Sequence, residues 1–273
     1  MTRPAVIDKR RFGPWGLVTG ASSGIGRGFA HQLAANGLNV VLAARRRRLL
    51  EELRDQLVED FGVQARVVET DLTGDGFVDT IKQATDDLEV GLLVSSAGAP
   101  LTGPFLDTDV QRVIRHARLD VIANIELTHH FAARMAVRRR GGVLLVSAMG
   151  VEHGTPLMAA SFAGKSYVLI LGEGLHAELG ALGISTTVLL PGPTDTAVIR
   201  DIGFDLLHTP FKPMSVEQCV AEALKALAAN RPTILSGRIN RLMHAVIPSS
   251  LIARMSGSLI RRAIAARTAS ASS

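Results

Sequence analysis

The sequence predicts an α/β fold, a single doubly wound parallel sheet with helices on both faces. Short apolar runs of strand length alternate with stretches of helical periodicity from residue 16 to residue 190. Such alternation packs most simply as a parallel sheet with right-handed crossovers. The composition agrees: 47% of the residues are hydrophobic and only 4% aromatic, and 26 are glycines, which suits small aliphatic strands covered on both sides. Finally, the first strand-like run ends in a glycine-rich turn that opens a helix, and open sheets of this kind bind ligands at the carboxyl ends of their strands.

Gly16 to Thr19 reads as the first strand, and Gly20-Ala-Ser-Ser-Gly24-Ile-Gly26 as the turn, with a helix through about Asn36. Asn39 to Ala43 is a second buried strand. From Arg46 to about Phe61 the residues Leu49, Leu50, Leu53 and Leu57 share one helical face, and Ala65 to Glu69 returns to strand. Leu92 to Val94 is the fourth strand, bounded by Ser95-Ser96-Ala97-Gly98. A helix from about Thr108 to Arg138 leads to the strand Val143 to Ser147. Another begins near Ala159 and runs past Leu179, and Ser185 to Leu190 is a sixth strand ending at Pro191-Gly192-Pro193.

No internal repeat or linker calls for a second domain. Residues 1–235 form the main domain and 236–273 a basic amphipathic extension of it. The net charge is +5, yet no Asp or Glu follows Glu222, whereas Lys225, Arg231, Arg238, Arg241, Arg254, Arg261, Arg262 and Arg267 do. The positive balance belongs to the C-terminal segment, which argues against a nucleic-acid partner inferred from overall charge. The single cysteine, Cys219, reads as a buried small hydrophobe that fits a reducing compartment. Neither a secretory leader nor a membrane-spanning run is visible, so a cytoplasmic location is expected. No His/Cys/carboxylate spacing points to a metal.

Glycines between a strand and a helix N-terminus let backbone N–H groups approach a pyrophosphate closely. Here the spacing is Thr-Gly-x-x-x-Gly-x-Gly over Gly20, Gly24 and Gly26. Asp71-Leu72 follows the third strand, Ala97-Gly98 the fourth, Lys165 opens a helix, and Pro191-Gly192 follows the sixth strand. In this order the motifs resemble the short-chain dehydrogenase/reductase family over roughly residues 16 to 200. The resemblance implies a Rossmann-type sheet that binds a nicotinamide nucleotide through Gly20, Ser22, Ser23, Gly24, Ile25 and Gly26. It further implies Asp71 and Leu72 beside the adenine, Ala97, Gly98 and Lys165 along the ribose, and Pro191, Gly192, Thr194 and Thr196 at the nicotinamide. The second strand ends in Ala43-Ala44-Arg45-Arg46 with no acid for ribose hydroxyls, so NADP(H) is expected, with Arg45 on the 2′-phosphate.

The catalytic positions depart from the family's pattern. Lys165 is in place, but the residue four before it, where the family has tyrosine, is Ser161. The upstream serine position falls on Ala148, with Ser147 just before it. The asparagine position, placed by its distance to Thr128 and Met135, falls on Asp120. The only tyrosine, Tyr167, lies about 200° around a helix from Lys165 and reads as a packing aromatic. A serine hydroxyl is a far poorer acid than a phenol of pKa about 10. His153, in the loop after the fifth strand, is a further candidate acid, while His116, His129, His130, His176 and Asp120 read as structural or surface groups.

Three functions follow. The first is an NADP(H)-dependent oxidoreductase with an unusual proton path through Ser161, Ser147, His153 or water, assisted by Lys165. The second is a redox-inactive nucleotide-binding protein, a sensor or partner subunit, and the third a lyase or isomerase on the same scaffold. Leu242, Met243, Val246, Ile247, Leu251, Ile252, Met255, Leu259, Ile260 and Ile264 alternate with arginines around Pro248. That pattern predicts two short amphipathic helices, either a cover for a lipophilic substrate or a peripheral membrane contact. The resemblance also implies a homo-oligomer.

Overall fold

The structure is a computed structural model and describes residues 6–196, 213–246 and Arg261. Seven strands, β1 Trp15–Thr19, β2 Asn39–Ala44, β3 Ala65–Glu69, β4 Val90–Ser95, β5 Gly141–Val146, β6 Ile184–Leu190 and β7 Thr233–Leu235, form one sheet ordered β3-β2-β1-β4-β5-β6-β7. Every pairing is parallel. The described helices are α1 Lys9–Phe12, α2 Gly24–Ala35, α3 Arg47–Phe61, α4 Phe77–Thr85, α5 Val110–Ala117, α6 Ala123–Arg138, α7 Ala159–Gly180, α8 Val216–Ala228 and α9 Arg238–Val246. The fold is therefore the doubly wound parallel sheet that the sequence predicts, with α1, α4, α8 and β7 added to it.

Alternation along the strands feeds two cores. Val18, Val40, Leu42, Val94, Leu144 and Leu189 point to one side, where they meet Phe29 and Leu33 of α2, Leu50, Leu53 and Leu57 of α3, and Val220 and Leu224 of α8. Leu17, Val41, Leu93, Val143, Leu145 and Val188 point to the other, against Ile81 of α4, Leu127, Phe131 and Met135 of α6, and Val168 of α7. Cys219 is fully buried in the first core, as expected, and burial pushes its thiol up. Among the described residues no helix is long and apolar enough to cross a membrane.

Between β1 and β4 the strand order reverses direction, which opens a crevice at their carboxyl ends. One side chain knits this point together. The fully buried Thr19 hydroxyl accepts hydrogen bonds from the Ser96 and Ala97 amides, each at 3.0 Å. Thr19→Val keeps the shape and removes the acceptor, leaving two amides to find water or go unpaired, so it should lower unfolding stability by about 1–3 kcal/mol. Urea denaturation checks this against Thr19→Ser, which should stay near wild type; a wild-type midpoint for the valine variant would contradict the assignment.

Candidate active site

The glycine turn lies at this crevice, and the space it leaves can be measured. Gly20 has φ +67°, and a Cβ there would come within 2.9 Å of Ala97 Cα. A Cβ on Gly26 would collide with the Gly20 carbonyl at 2.3 Å. Gly24, at φ +54°, faces Thr196, whose Cγ2 would lie 3.3 Å from an added Cβ. The turn thus reaches both the end of β4 and the segment after β6. Ser23 caps α2 without a side-chain hydrogen bond to its backbone, so the amides of Gly24, Ile25 and Gly26 face the crevice as donors for an anion. A backbone cradle that any side chain would fill, at a helix N-terminus, fits a dinucleotide pyrophosphate.

The arginines after β2 divide the work. Arg47 pairs with Glu51 at 2.8 Å and Arg48 with Glu52 at 2.5 Å, ordinary one-turn helix pairs. Arg46 was not singled out by the sequence, yet its guanidinium donates to Ser22 Oγ at 2.9 Å and Ser23 Oγ at 2.8 Å, bracing the glycine turn. Arg45 is exposed and, among the described residues, has no side-chain partner. Asp71 is exposed and closes a tight turn by accepting from the Thr73 amide and hydroxyl, both at 2.9 Å, while Leu72 is buried in the core.

After β6, the Thr194 hydroxyl donates to the Gly192 carbonyl at 2.8 Å and the Pro191 carbonyl accepts from the Met149 amide at 3.1 Å. The Gly192 amide donates to Ser236 Oγ at 3.3 Å. Gly192 has no room for a side chain, since a Cβ would sit 2.0 Å from Asn240 Nδ2 on α9.

Three ionisable groups meet at the centre. Between α5 and α6 the helix widens into a π turn, Arg118–Ile122, that carries Asp120 inward. Its fully buried carboxylate lies 3.3 Å from Lys165 Nζ and 3.1 Å from His116 Nε2. Lys165 also donates to the Val146 carbonyl at 3.1 Å. Two glycines clear the space: a Cβ on Gly98 would come 2.9 Å from Lys165 Nζ, and one on Gly164 2.9 Å from Asp120 Cβ. Burial pushes the Asp120 carboxyl up, but Lys165 and His116 outweigh it and hold the group below the usual carboxylate range. The sequence reads His116 and Asp120 as structural or surface groups, with Asp120 at the family's asparagine position; the π turn carries Asp120 between Lys165 and His116.

The candidate proton donors separate. Ser161 is buried one turn before Lys165, and its Oγ accepts only a long hydrogen bond, 3.4 Å, from the Leu101 amide. Ser147 is committed, donating to the Lys165 carbonyl at 2.6 Å, and thereby pins α7 to the end of β5. His153 stands exposed in its loop with no partner among the described residues. Tyr167, expected to pack, is 37% exposed on the outer face of α7, turned away from Lys165. His176 Nδ1 donates to the Thr186 carbonyl, 2.8 Å away, a structural tie between α7 and β6. No group of three potential metal ligands occurs among the described residues.

With this geometry in view, residues 15–205 match the protein family described as short chain dehydrogenase. The chain is 28% identical over 242 residues to a 7beta-hydroxysteroid dehydrogenase of Collinsella aerofaciens, covering 85% of this chain and 89% of that protein. It is 32% identical over 208 residues to a very-long-chain 3-oxoacyl-CoA reductase-like protein of Arabidopsis thaliana, covering 74% and 67%. A solved short-chain dehydrogenase from Sphingobium yanoikuyae in complex with NADPH superimposes with a TM-score of 0.76 at 28% identity, over 81% of this chain and 87% of that one.

The depressed Asp120 carboxyl has a direct consequence for acid stability. A carboxylate held below its unfolded value stabilises the fold fully above that value, about 3.9, and the contribution is lost as the pH falls through the folded one. Wild type should therefore lose stability below about pH 4 more steeply than Asp120→Asn, which has no such proton to take up. Parallel denaturation midpoints for the two proteins between neutral and acid pH would show that this pair carries no such linkage.

Proposed function

The chain belongs to the short-chain dehydrogenase family, and from that premise we propose that it is an NADP(H)-dependent oxidoreductase acting on a carbonyl or hydroxyl of a lipophilic substrate. The observation that carries this reading is the glycine cradle at the β1–β4 crevice, with Ala97 and Thr196 against it, Lys165 beside Gly98, and Arg45 exposed after β2 with no side-chain partner among the described residues. NADP(H) is the nucleotide: the match to a chain solved with NADPH supports it, and so do the missing acid after β2 and a free guanidinium suited to a 2′-phosphate. Two relatives named for a hydroxysteroid and a very-long-chain acyl thioester support a large apolar substrate. Apolar side chains exposed on the neighbouring helices α5 to α7, among them Ile114, Ile125, Tyr167 and Ile170, support a homo-oligomer.

When bound, NADP(H) supplies the hydride that reduces the carbonyl carbon. The residues of this chain hold it and manage the proton. Gly20, Ser22, Ser23, Gly24, Ile25 and Gly26 would hold the pyrophosphate, Asp71 and Leu72 the adenine, Ala97, Gly98 and Lys165 the ribose side, and Pro191, Gly192, Thr194 and Thr196 the nicotinamide side. Ser161 is a buried hydroxyl with spare donor capacity one turn before Lys165, so it orients the substrate oxygen, and the proton reaches that oxygen through Ser161 or an adjacent water. Lys165 is neutralised by Asp120, so it positions more than it acidifies. Ser147 acts by pinning α7, and His153 stands apart at the rim.

A second reading, a redox-inactive nucleotide-binding protein, is favoured by one observation: Lys165 is paired with a buried carboxylate and no phenol stands beside it. Turnover separates the two readings. A positioned general acid contributes about 10²–10⁴-fold to rate, so wild type should bind NADPH normally and reduce simple ketones slowly. Stepwise Ala148→Ser, Ser161→Tyr and Asp120→Asn should restore reductase activity, followed by NADPH absorbance. Binding without turnover of any bulky hydroxyl or carbonyl compound would select the second reading. Rapid wild-type turnover of simple carbonyls would instead show that another acid operates, with His153→Ala as the next test.

Nucleotide choice has its own measurement. Arg45→Ala should weaken NADPH by about 1.5–3 kcal/mol, the worth of a charged hydrogen bond, and leave NADH nearly unchanged. Fluorescence titration with both nucleotides reads this directly. An unchanged NADPH affinity would move the 2′-phosphate contact to Arg46.

A further inference from the structure

Helix α9 is built inside out. Its polar residues face the protein: Asn240 donates to the Ser236 carbonyl at 2.8 Å and lies against Gly192, Arg241 donates to Glu222 at 2.7 Å and to the Leu235 carbonyl at 2.9 Å, and His244 lies 3.2 Å from Glu152. Three of its apolar residues face outward. Ile239, Leu242 and Val246, spaced three and four apart on one stripe, are 64%, 66% and 72% exposed. A helix whose polar face is consumed by the body leaves its apolar face for something else to cover.

Charge identifies the partner. Arg238 is exposed at the start of this stripe, and no acidic residue follows Glu222 to the end of the chain, while the sequence beyond Val246 continues to alternate apolar residues with arginines. The structure of those later residues, including the second amphipathic helix expected after Pro248, lies outside the described ones apart from Arg261, which is helical and exposed. An apolar stripe that starts at the exposed Arg238, in a segment whose sequence carries further arginines and no acid, matches an anionic bilayer surface, where apolar burial and headgroup attraction act together.

We propose that α9 is a lipid-surface contact, which docks its Ile239–Leu242–Val246 face on an anionic membrane. Asn240, on the opposite face, packs on Gly192, so docking sets the nicotinamide-side rim of the candidate site near the bilayer. The docking itself stands on α9 alone. Delivery of a membrane-dissolved substrate through that rim rests on the oxidoreductase reading above.

The test is co-sedimentation of the full chain with vesicles of phosphatidylcholine mixed with phosphatidylglycerol, against phosphatidylcholine alone. Binding is expected to the mixed vesicles at low salt, and to fall as salt screens the arginines. Ile239→Glu with Leu242→Glu should reduce it by about a hundredfold, roughly tenfold for each apolar side chain no longer buried. Both side chains are exposed, so circular dichroism and NADPH titration of the variant should match wild type; Ile239→Ser with Leu242→Ser serves if the charged pair disturbs folding. Absence of binding to mixed vesicles at low salt overturns the proposal, as does equal binding by the double variant. A variant that instead changes the oligomeric state on gel filtration, without any lipid binding in wild type, assigns the face to a second copy. NADPH titration of the same samples reads the nucleotide site separately, so its failure and failure of docking are distinguishable.

Discussion

The tight approach of the turn after β1 to the end of β4 is the constraint on which the candidate site depends. Gly20 and Ala97 meet backbone to backbone, and Thr19 spends its hydroxyl on two amides of the same crossing. A side chain at Gly20 would push β1 and β4 apart, and one at Gly26 would collide with the turn itself, closing the place where a dinucleotide fits. The arginine brace from Arg46 to Ser22 and Ser23 then fixes the turn from the β2 side. Sheet topology, turn conformation and nucleotide site are one geometric condition.

Directly behind the cradle lies the second constraint, the buried trio of Lys165, Asp120 and His116. Desolvating a carboxylate costs several kcal/mol unless partners repay it, and here α7 contributes the Lys165 ammonium and α5 the His116 ring nitrogen. Because Gly98 and Gly164 must stay bare to admit the pair, the ion pair constrains both the end of β4 and the start of α7. The same arrangement sets the Lys165 ammonium against the Asp120 carboxylate at 3.3 Å.

Much of this was legible in the sequence because it is written in local periodicity and in turns. The six strands from Trp15 to Leu190 and the helices α2, α3 and α7 follow from apolar spacing, and the glycine turn follows from its letters. Other elements left weaker marks. Helix α4 is short and follows a turn through Gly74 and Gly76, and β7 has three residues after a proline, below what alternation can signal. Of the site, Lys165, Ser161, Asp120 and the glycines could be placed by spacing, but the buried contact of Asp120 with both Lys165 and His116 could not. His116 and Asp120 look like an ordinary helix pair until the π turn swings them inward. Arg46 looks like one of four equivalent arginines until the neighbouring pairs with Glu51 and Glu52 remove Arg47 and Arg48 from consideration.

The C-terminal extension shows where sequence and structure inform each other most. The sequence supplies a count of charges and an amphipathic rhythm, which fit either a helix docked by its apolar face or one presenting that face. Asn240, Arg241 and His244 decide between them, because Arg241 and His244 have partners on the body, Glu222 and Glu152, and Asn240 packs against Gly192. Turning the helix over to bury Leu242 would strand those groups and leave the Glu222 carboxylate, partly buried, without its arginine. A buried charge without a partner costs more than a few exposed aliphatic side chains. The polar contacts therefore fix the helix's orientation, and its outward apolar stripe is the consequence. Because Asn240 is also what keeps Gly192 bare, the orientation of this helix and the shape of the nicotinamide-side loop are set by the same residue.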